Sequence, residues 1–336
     1  MKTIVCTTPG QLLNEETNYP SQKRGYSIIL IKQIGVCGTD LHAFNGVQPY
    51  FTYPRILGHE LAAIYLEGDA QGLSKGDQVT VLPYNSCGTC FACKQGKTNC
   101  CSSLSVLGVH EDGGMREYIS VPNELLVRTD GLSLDQTALI EPLAIGAHSV
   151  SRANIQDGEF VMLVGAGPIG IGLMYFLVTK NINIILAETN PHRLEFCRKK
   201  FPSIQCINPL VEDTMKSLKD WTNGNMPSVI FDATGNLTSI HQSLSFLSHA
   251  GRYVLVGLQQ GNIQVNHPEF HKREATLMSS RNATHADFHF VIDAIRRKEI
   301  CPEEMITHRL PFAEVAEKFS TLYSQKDSLI KAMISC

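Results

Sequence analysis

Cys87, Cys90, Cys93 and Cys101 stand close enough along the chain to share one metal ion. Thiolates are ligands that zinc takes readily, and four of them at short spacing close a tetrahedral site with no position open for chemistry. An iron–sulfur cluster is the rival, because bacterial ferredoxins open with the same C-x2-C-x2-C run. There the fourth cysteine follows after three residues and precedes a proline; here the gap is seven and Ser102 follows. The pattern therefore predicts a structural zinc that holds together a loop with too little core of its own. Cys100, beside Cys101, is left over. The chain has 11 cysteines, and those outside this cluster are scattered. A secreted disulfide scaffold would be short and cysteine-dense throughout, so clustered thiols here read first as metal ligands.

A second set of reactive side chains is dispersed: GVCGTDLH at Gly35–His42, GHE at Gly58–Glu60 and EP at Glu141–Pro142. Taken singly, each has an ordinary explanation. A cysteine after an apolar strand is a small core residue, Gly-His-Glu is a turn, and Glu-Pro is an acid at a helix start.

Gly165-x-Gly167-x-x-Gly170 carries a third kind of chemistry. It follows the continuous apolar run FVMLVGAG, which reads as a strand buried on both faces, and it opens an apolar helix over Ile169–Thr179. In that setting the first glycine permits a tight turn. The second lets a pyrophosphate approach the backbone, and the third lets helix and strand pack closely. The helix N-terminus then offers free N–H groups to phosphate. Glu188 ends the next strand, 18 residues past Gly170, where a carboxylate can bond a ribose 2′-hydroxyl and would repel a 2′-phosphate. NAD is thus expected over NADP, with Arg193 nearby as a tempering cation.

These motifs need a framework. Before residue 140, short apolar runs broken by Gly, Pro and Asn (Tyr26–Val36, Gln78–Tyr84, Met115–Pro122) predict a strand-rich, barrel-like domain. After Gly146, strands and helices alternate. Strands are expected at Asn183–Ala187, Ser228–Thr234, Arg252–Gly257 and Thr276–Ser280, and helices from Pro191 and over Ser239–Leu247. This is the texture of a doubly wound sheet. The tail, with a helix near Ala286–Lys298, returns to the earlier character. A chain of 336 residues suits two domains, and 43% apolar with 18% charged residues is a globular composition. A net charge of -3 without a basic run argues against nucleic acid. The polar-interrupted start MKTIVCTTPGQLL is no signal segment, and no apolar stretch reaches the roughly 20 residues that span a bilayer. The expected location is cytoplasmic, with no membrane partner.

In order and context, Cys37-Gly38-Thr39-Asp40, Gly58-His59-Glu60, the four-cysteine lobe and the glycine fingerprint resemble the zinc-dependent medium-chain dehydrogenase/reductase superfamily. The resemblance runs from about residue 25 to the C-terminus. It implies an α/β protein with a GroES-like, partly open β-barrel catalytic domain (1–148 and 284–336) interrupted by a doubly wound Rossmann domain (149–283). It further implies two zinc ions per chain, NAD, and a homodimer or homotetramer. Cys37 and His59 become catalytic zinc ligands. The classical alcohol dehydrogenases draw a third ligand from a later cysteine, but Leu139–Ser149 has none and offers Glu141. That is the pattern of sorbitol, threonine and related polyol dehydrogenases, in which Glu60 and Glu141 share coordination directly or through water; the sequence leaves the choice open. YPRILGHE, LGVHEDGGMREY, SSRNA and ITHRLPF resemble bacterial dehydrogenases of hexonic acids, the L-galactonate or L-gulonate 5-dehydrogenases and their starvation-sensing relatives.

The implied reaction is oxidation of a secondary alcohol on a polyol or sugar acid, with zinc as Lewis acid and the nicotinamide as hydride acceptor. Thr39 and His42 are the candidate proton relay beside Glu60, and Asp40 is an orienting group. Gly165, Gly167, Ile169, Gly170, Glu188 and Arg193 form the cofactor set. A sugar-acid carboxylate needs a cation, for which Arg281 is first choice and Arg116 second. The alternatives are a sorbitol-type polyol or L-threonine dehydrogenase and, more remotely, a non-catalytic zinc- and NAD-binding regulator.

Overall fold

The computed structural model describes residues 1–49, 51–325 and 327–336. In chain order the first elements are β1 (Lys2–Thr8), β2 (Gln11–Glu16), β3 (Tyr26–Val36), α1 (Gly38–Phe44), β4 (Glu60–Gly68), β5 (Gln78–Val81) and β6 (Tyr84–Asn85). There follow α2 (Phe91–Lys94), β7 (Ser105–Val106), β8 (Tyr118–Pro122), β9 (Leu126–Arg128), α3 (Leu134–Ala138) and α4 (Ile140–Ala153). Next come β10 (Phe160–Val164), α5 (Pro168–Leu177), β11 (Asn183–Ala187), α6 (Pro191–Lys200), β12 (Gln205–Ile207) and α7 (Thr214–Trp221). They are succeeded by β13 (Val229–Asp232), α8 (Leu237–Ser243), β14 (Arg252–Leu255), α9 (His267–Lys272) and β15 (Thr276–Ser279). The tail holds α10 (His285–Arg296), β16 (Ile306–Pro311), α11 (Val315–Ser324) and β17 (Lys331–Ser335).

Two compact units result, Met1–Ala144 with Asn282–Cys336, and Ile145–Arg281. The expected switch after residue 148 falls within α4, and the expected return at residue 284 lies just past Asn282.

In the first unit a sheet runs β16-β17-β3-β4-β5-β9, with β8 also on β3. Its organiser is β3, whose eleven residues are buried at most positions. The first half, Tyr26–Leu30, pairs with β8. The second half takes β17 from the far end of the chain, with Ala332 opposite Val36 and Met333 opposite Gly35. Along the other edge β4 pairs antiparallel and places Glu60 opposite Gly35. The end of β3 is therefore the meeting point of the starts of β17, β4 and α1. This is the GroES-like part of the fold.

The second unit is a six-stranded parallel sheet of order β12-β11-β10-β13-β14-β15. β10 lies between β11 and β13, where the winding changes direction, and such a switch point opens a ligand crevice at the strand ends. The Rossmann expectation is met. Met162, Ile185, Ile207, Leu218, Ile230 and Tyr253 lie at its core. Gly165 adopts φ +96°, a left-handed turn between β10 and α5. A Cβ on Gly170 would come within 2.0 Å of the Gly165 carbonyl oxygen, so strand and helix touch there through backbone.

Two elements between Phe201 and Met226 carry no clear sequence signal. Edge strand β12 is three residues long with Gln205 and Cys206 half-buried, so no apolar run betrays it. Helix α7 is capped by Asp213, whose carboxylate accepts from Lys216 N–H at 3.0 Å, but it buries only Thr214 and Leu218. Asn236 starts α8 earlier than Ser239 by accepting that residue's N–H at 3.0 Å. Among the described residues no helix is long and apolar enough to cross a membrane.

The two glycines on either side of Pro168-Ile169 should respond differently to a methyl group. Gly170→Ala forces overpacking against backbone and should cost about 1–3 kcal/mol in urea unfolding. A Cβ on Gly167 would find nothing nearer than Arg193 Nη1 at 3.9 Å, so Gly167→Ala should cost within about 1 kcal/mol, the range of a helix-cap change.

Candidate metal centre and cofactor loop

Cys37 follows β3 and caps α1. Its N–H donates to Asp40 Oδ2 at 2.9 Å, while Asp40 Oδ1 accepts from Gly58 N–H at 3.1 Å. One buried carboxylate thus ties the Cys37 turn to the Gly58-His59-Glu60 turn. The latter is backed by the Gly-Gly-Met stretch: Gly114 N–H donates to the Gly58 carbonyl at 2.8 Å, and Met115 N–H to that of Leu57 at 2.9 Å. That is the structural role of the LGVHEDGGMREY segment.

Held this way, one ligand atom each of Cys37, His59 and Glu60 lies within 4.8 Å of the others. His59 is buried, and its Nδ1 has no hydrogen-bond partner among the described residues, standing 3.8 Å from Asp40 Oδ1. Burial opposes a charge on the ring, yet Asp40, Cys37 and Glu141 outweigh it and raise the His59 pKa well above the ordinary value.

Glu60 is fully buried and is not alone. Lys331, 1% exposed at the head of β17, donates to Glu60 Oε1 at 2.6 Å and Oε2 at 2.8 Å, and to the Val36 carbonyl at 3.3 Å. Burial disfavours the ammonium, but Glu60 and Cys37 overcome this and its pKa is raised. Gly35 makes the room: a Cβ there would sit 2.0 Å from Glu60 Oε2. Glu141, in the first turn of α4, is 2% exposed. Its Oε1 accepts from the Tyr84 hydroxyl, and its Oε2 is buried with no partner among the described residues. Burial lifts its pKa to about 7, with Glu60 adding to the shift and His59 and Tyr84 opposing it. Neither Lys331 nor Tyr84 carries a motif. A lone lysine opening an apolar terminal strand, KAMIS, is the one signal for the first; the second hides in an apolar run.

These residues fit a divalent cation. A thiol, an imidazole and one carboxylate converge, with Glu141 near enough to act on His59 and one of its oxygens buried without a partner among the described residues. Thr39 is half-buried and His42 exposed, both on α1, and among the described residues no hydrogen bond links either to the cluster.

In the four-cysteine loop Cys87, Cys90, Cys93 and Cys101 bring their sulfurs within 4.8 Å of one another. Backbone amides aim at them: Cys90 N–H at Cys87 Sγ, 3.3 Å, and Cys87 N–H and Ser103 N–H at Cys101 Sγ, both 3.3 Å. Amide donation from Cys93 and Ser102 lowers the Cys90 pKa to about 5. Cys101, not the exposed Cys100, completes the quartet.

In the other unit Glu188 Oε2 accepts from Ala166 N–H at 2.5 Å and Oε1 from Asn190 N–H at 2.7 Å. The carboxylate thereby braces the glycine loop while keeping lone pairs for another donor. Arg193 Nη1 lies beside Gly167, and Ile169 is in the first turn of α5. Arg281 is exposed just after β15. Arg116 lines a cavity of about 190 Å³ with Tyr26, Asn85, Glu111, Asp112 and Ser120. None of Cys37, His59, Glu60 and Glu141 lines that cavity.

The family models "Alcohol dehydrogenase GroES-like domain" and "Zinc-binding dehydrogenase" match residues 23–131 and 168–297. An L-galactonate-5-dehydrogenase of Escherichia coli (strain K12) is 40% identical, over 100% of this chain and 99% of its own. A sorbitol dehydrogenase of Bacillus subtilis (strain 168) is 32% identical over 80% of this chain and 78% of its own. A crystal structure of the RspB alcohol dehydrogenase of E. coli CFT073, complexed with NADH, superposes with a TM-score of 0.93 at 30% identity, covering 100% of this chain and 99% of that one.

Two outcomes follow from the buried charges. Lys331→Met leaves Glu60 uncompensated and should cost about 3–5 kcal/mol in urea unfolding; retention of native stability would show that the pair does not form. A zinc ion taken by Glu141 and His59 would displace protons that both hold more tightly than usual. Zinc affinity should therefore rise as pH passes about 7, where Glu141 loses its proton, and go on rising above it while His59 does, with proton release measured by titration calorimetry in buffers of different ionisation enthalpy.

Proposed function

This chain belongs to the family of zinc-binding, GroES-like alcohol dehydrogenases, and on that premise we propose that it oxidises a secondary alcohol of a hexonic acid, of L-galactonate or L-gulonate type, to the keto acid. The observation that carries the reaction class is the buried convergence of Cys37, His59 and Glu60, with Glu141 beside them. The sugar-acid class is supported by full-length likeness to an L-galactonate-5-dehydrogenase.

In this reading Cys37, His59 and a glutamate hold the catalytic zinc, and the four cysteines hold a structural one. When bound, zinc acidifies the substrate hydroxyl, as it lowers the pKa of water from about 16 to about 7, and NAD accepts the hydride. Asp40 fixes the two turns that carry the ligands. Thr39 and His42 lie three residues apart, hence on one face of α1, and step from half-buried to exposed. That is the order a proton needs on its way to water. The N-terminal amides of α5 and Arg193 suit the cofactor phosphates. Glu188, already facing the loop, suits a ribose hydroxyl and disfavours a 2′-phosphate. Carboxylates at the centre suit a hydroxylated substrate. Arg281 is the proposed cation for the acid group, since Arg116 faces a cavity that the metal-binding residues do not share.

The test is NAD reduction against hexonates, polyols, L-threonine and simple alcohols, with and without a zinc chelator. Chelator-sensitive turnover on hexonates is expected; turnover on polyols or threonine alone would replace the substrate assignment, and none on any would remove the enzymatic one. Arg281→Ala should raise KM for the hexonate about 10- to 100-fold, the worth of one charged hydrogen bond, and leave polyol KM unchanged.

A further inference from the structure

The two glutamates at the centre are not equivalent. Glu60 lies nearer the thiol and imidazole, but both its oxygens are taken by Lys331 at 2.6 and 2.8 Å. Its charge is already matched by a cation that nothing else neutralises as closely. Glu141 has one oxygen on a neutral donor and one unpartnered in a buried space. A metal gains more from the second carboxylate, which gives up no ion pair to reach it.

What presents Glu141 in that state is Tyr84. The residue lies on β6, paired antiparallel with β7, so that Tyr84 faces Val106 and Asn85 faces Ser105. Three residues later the chain enters the four-cysteine loop at Cys87. Tyr84 is 5% exposed, and a phenol so buried requires a partner. Glu141 supplies it from α4, 57 residues along. The hydrogen bond fixes which carboxylate oxygen is spoken for, and hence which is free.

We propose that Tyr84 is a positioning residue that holds Glu141 Oε1 and so presents Oε2 as the carboxylate ligand of the catalytic zinc, while Lys331 keeps Glu60 from that role. This rests on the reading of Cys37 and His59 as zinc ligands. The tyrosine also joins the two metal sites in sequence, since the hairpin that places it is the base of the cysteine loop.

The test is zinc affinity of the full-length protein, by competition with a chromophoric chelator, together with the visible spectrum after cobalt(II) exchange into the weaker site. Tyr84→Phe should bind the more weakly held zinc about 10- to 100-fold less tightly, as loss of a ligand's supporting partner does. It should alter the cobalt bands and leave the four-cysteine zinc in place. Native affinity and native cobalt bands in Tyr84→Phe would overturn the proposal. Should that variant fail to fold, Glu141→Asp, which keeps the charge but shortens the reach, should show the same weakening, and native affinity there overturns it equally. Cys37→Ser separates the two failures. If it loses one zinc while Tyr84→Phe is unchanged, only the role of Tyr84 falls. If it loses none, the metal centre itself is wrong and Tyr84 falls with it.

Discussion

The constraint on which the catalytic unit turns is a set of buried acids at the end of β3. Asp40, Glu60 and Glu141 are buried there beside half-buried Cys37, against Lys331 and His59. Such a cluster is stable only if each acid finds a donor or a cation. Asp40 finds two backbone amides, Glu60 finds Lys331, and half of Glu141 finds Tyr84. The remainder, one Glu141 oxygen without a partner among the described residues, is where the proposed cation would be bound. The GroES-like sheet serves this arrangement, since β17 must travel back from the C-terminus to bring Lys331 to Glu60.

The Rossmann unit meets a different constraint, close contact of backbone with backbone. Where Gly170 touches Gly165, strand and helix approach until no side chain fits between them, and Glu188 braces the turn through Ala166 N–H. Both features keep the turn into α5 short and its glycines bare of side chains. The loop is thus rigid by packing and open by composition.

Much of this is legible in sequence because local spacing carries it. The four cysteines fall within one loop, and the glycine fingerprint sits between a wholly apolar strand and a helix, so short windows suffice. The Cys37, His59 and Glu60 turns are informative only as an ordered set, since each alone looks like an ordinary core cysteine or turn. Lys331 and Tyr84 escape because their meaning lies in partners 271 and 57 residues away. A lysine in a strand reads as solvent-facing, and a tyrosine in an apolar run reads as core. β12 and α7 escape for the opposite reason: as an edge strand and a half-exposed helix they bury too little to leave a pattern.

The most direct measurement is X-ray diffraction from crystals of the native protein on both sides of the zinc absorption edge. The account predicts two anomalous zinc peaks, one among the four cysteines and one bounded by Cys37, His59 and Glu141 Oε2, with Glu60 still on Lys331. A single peak at the cysteines, with nothing between Cys37 and His59, would contradict it.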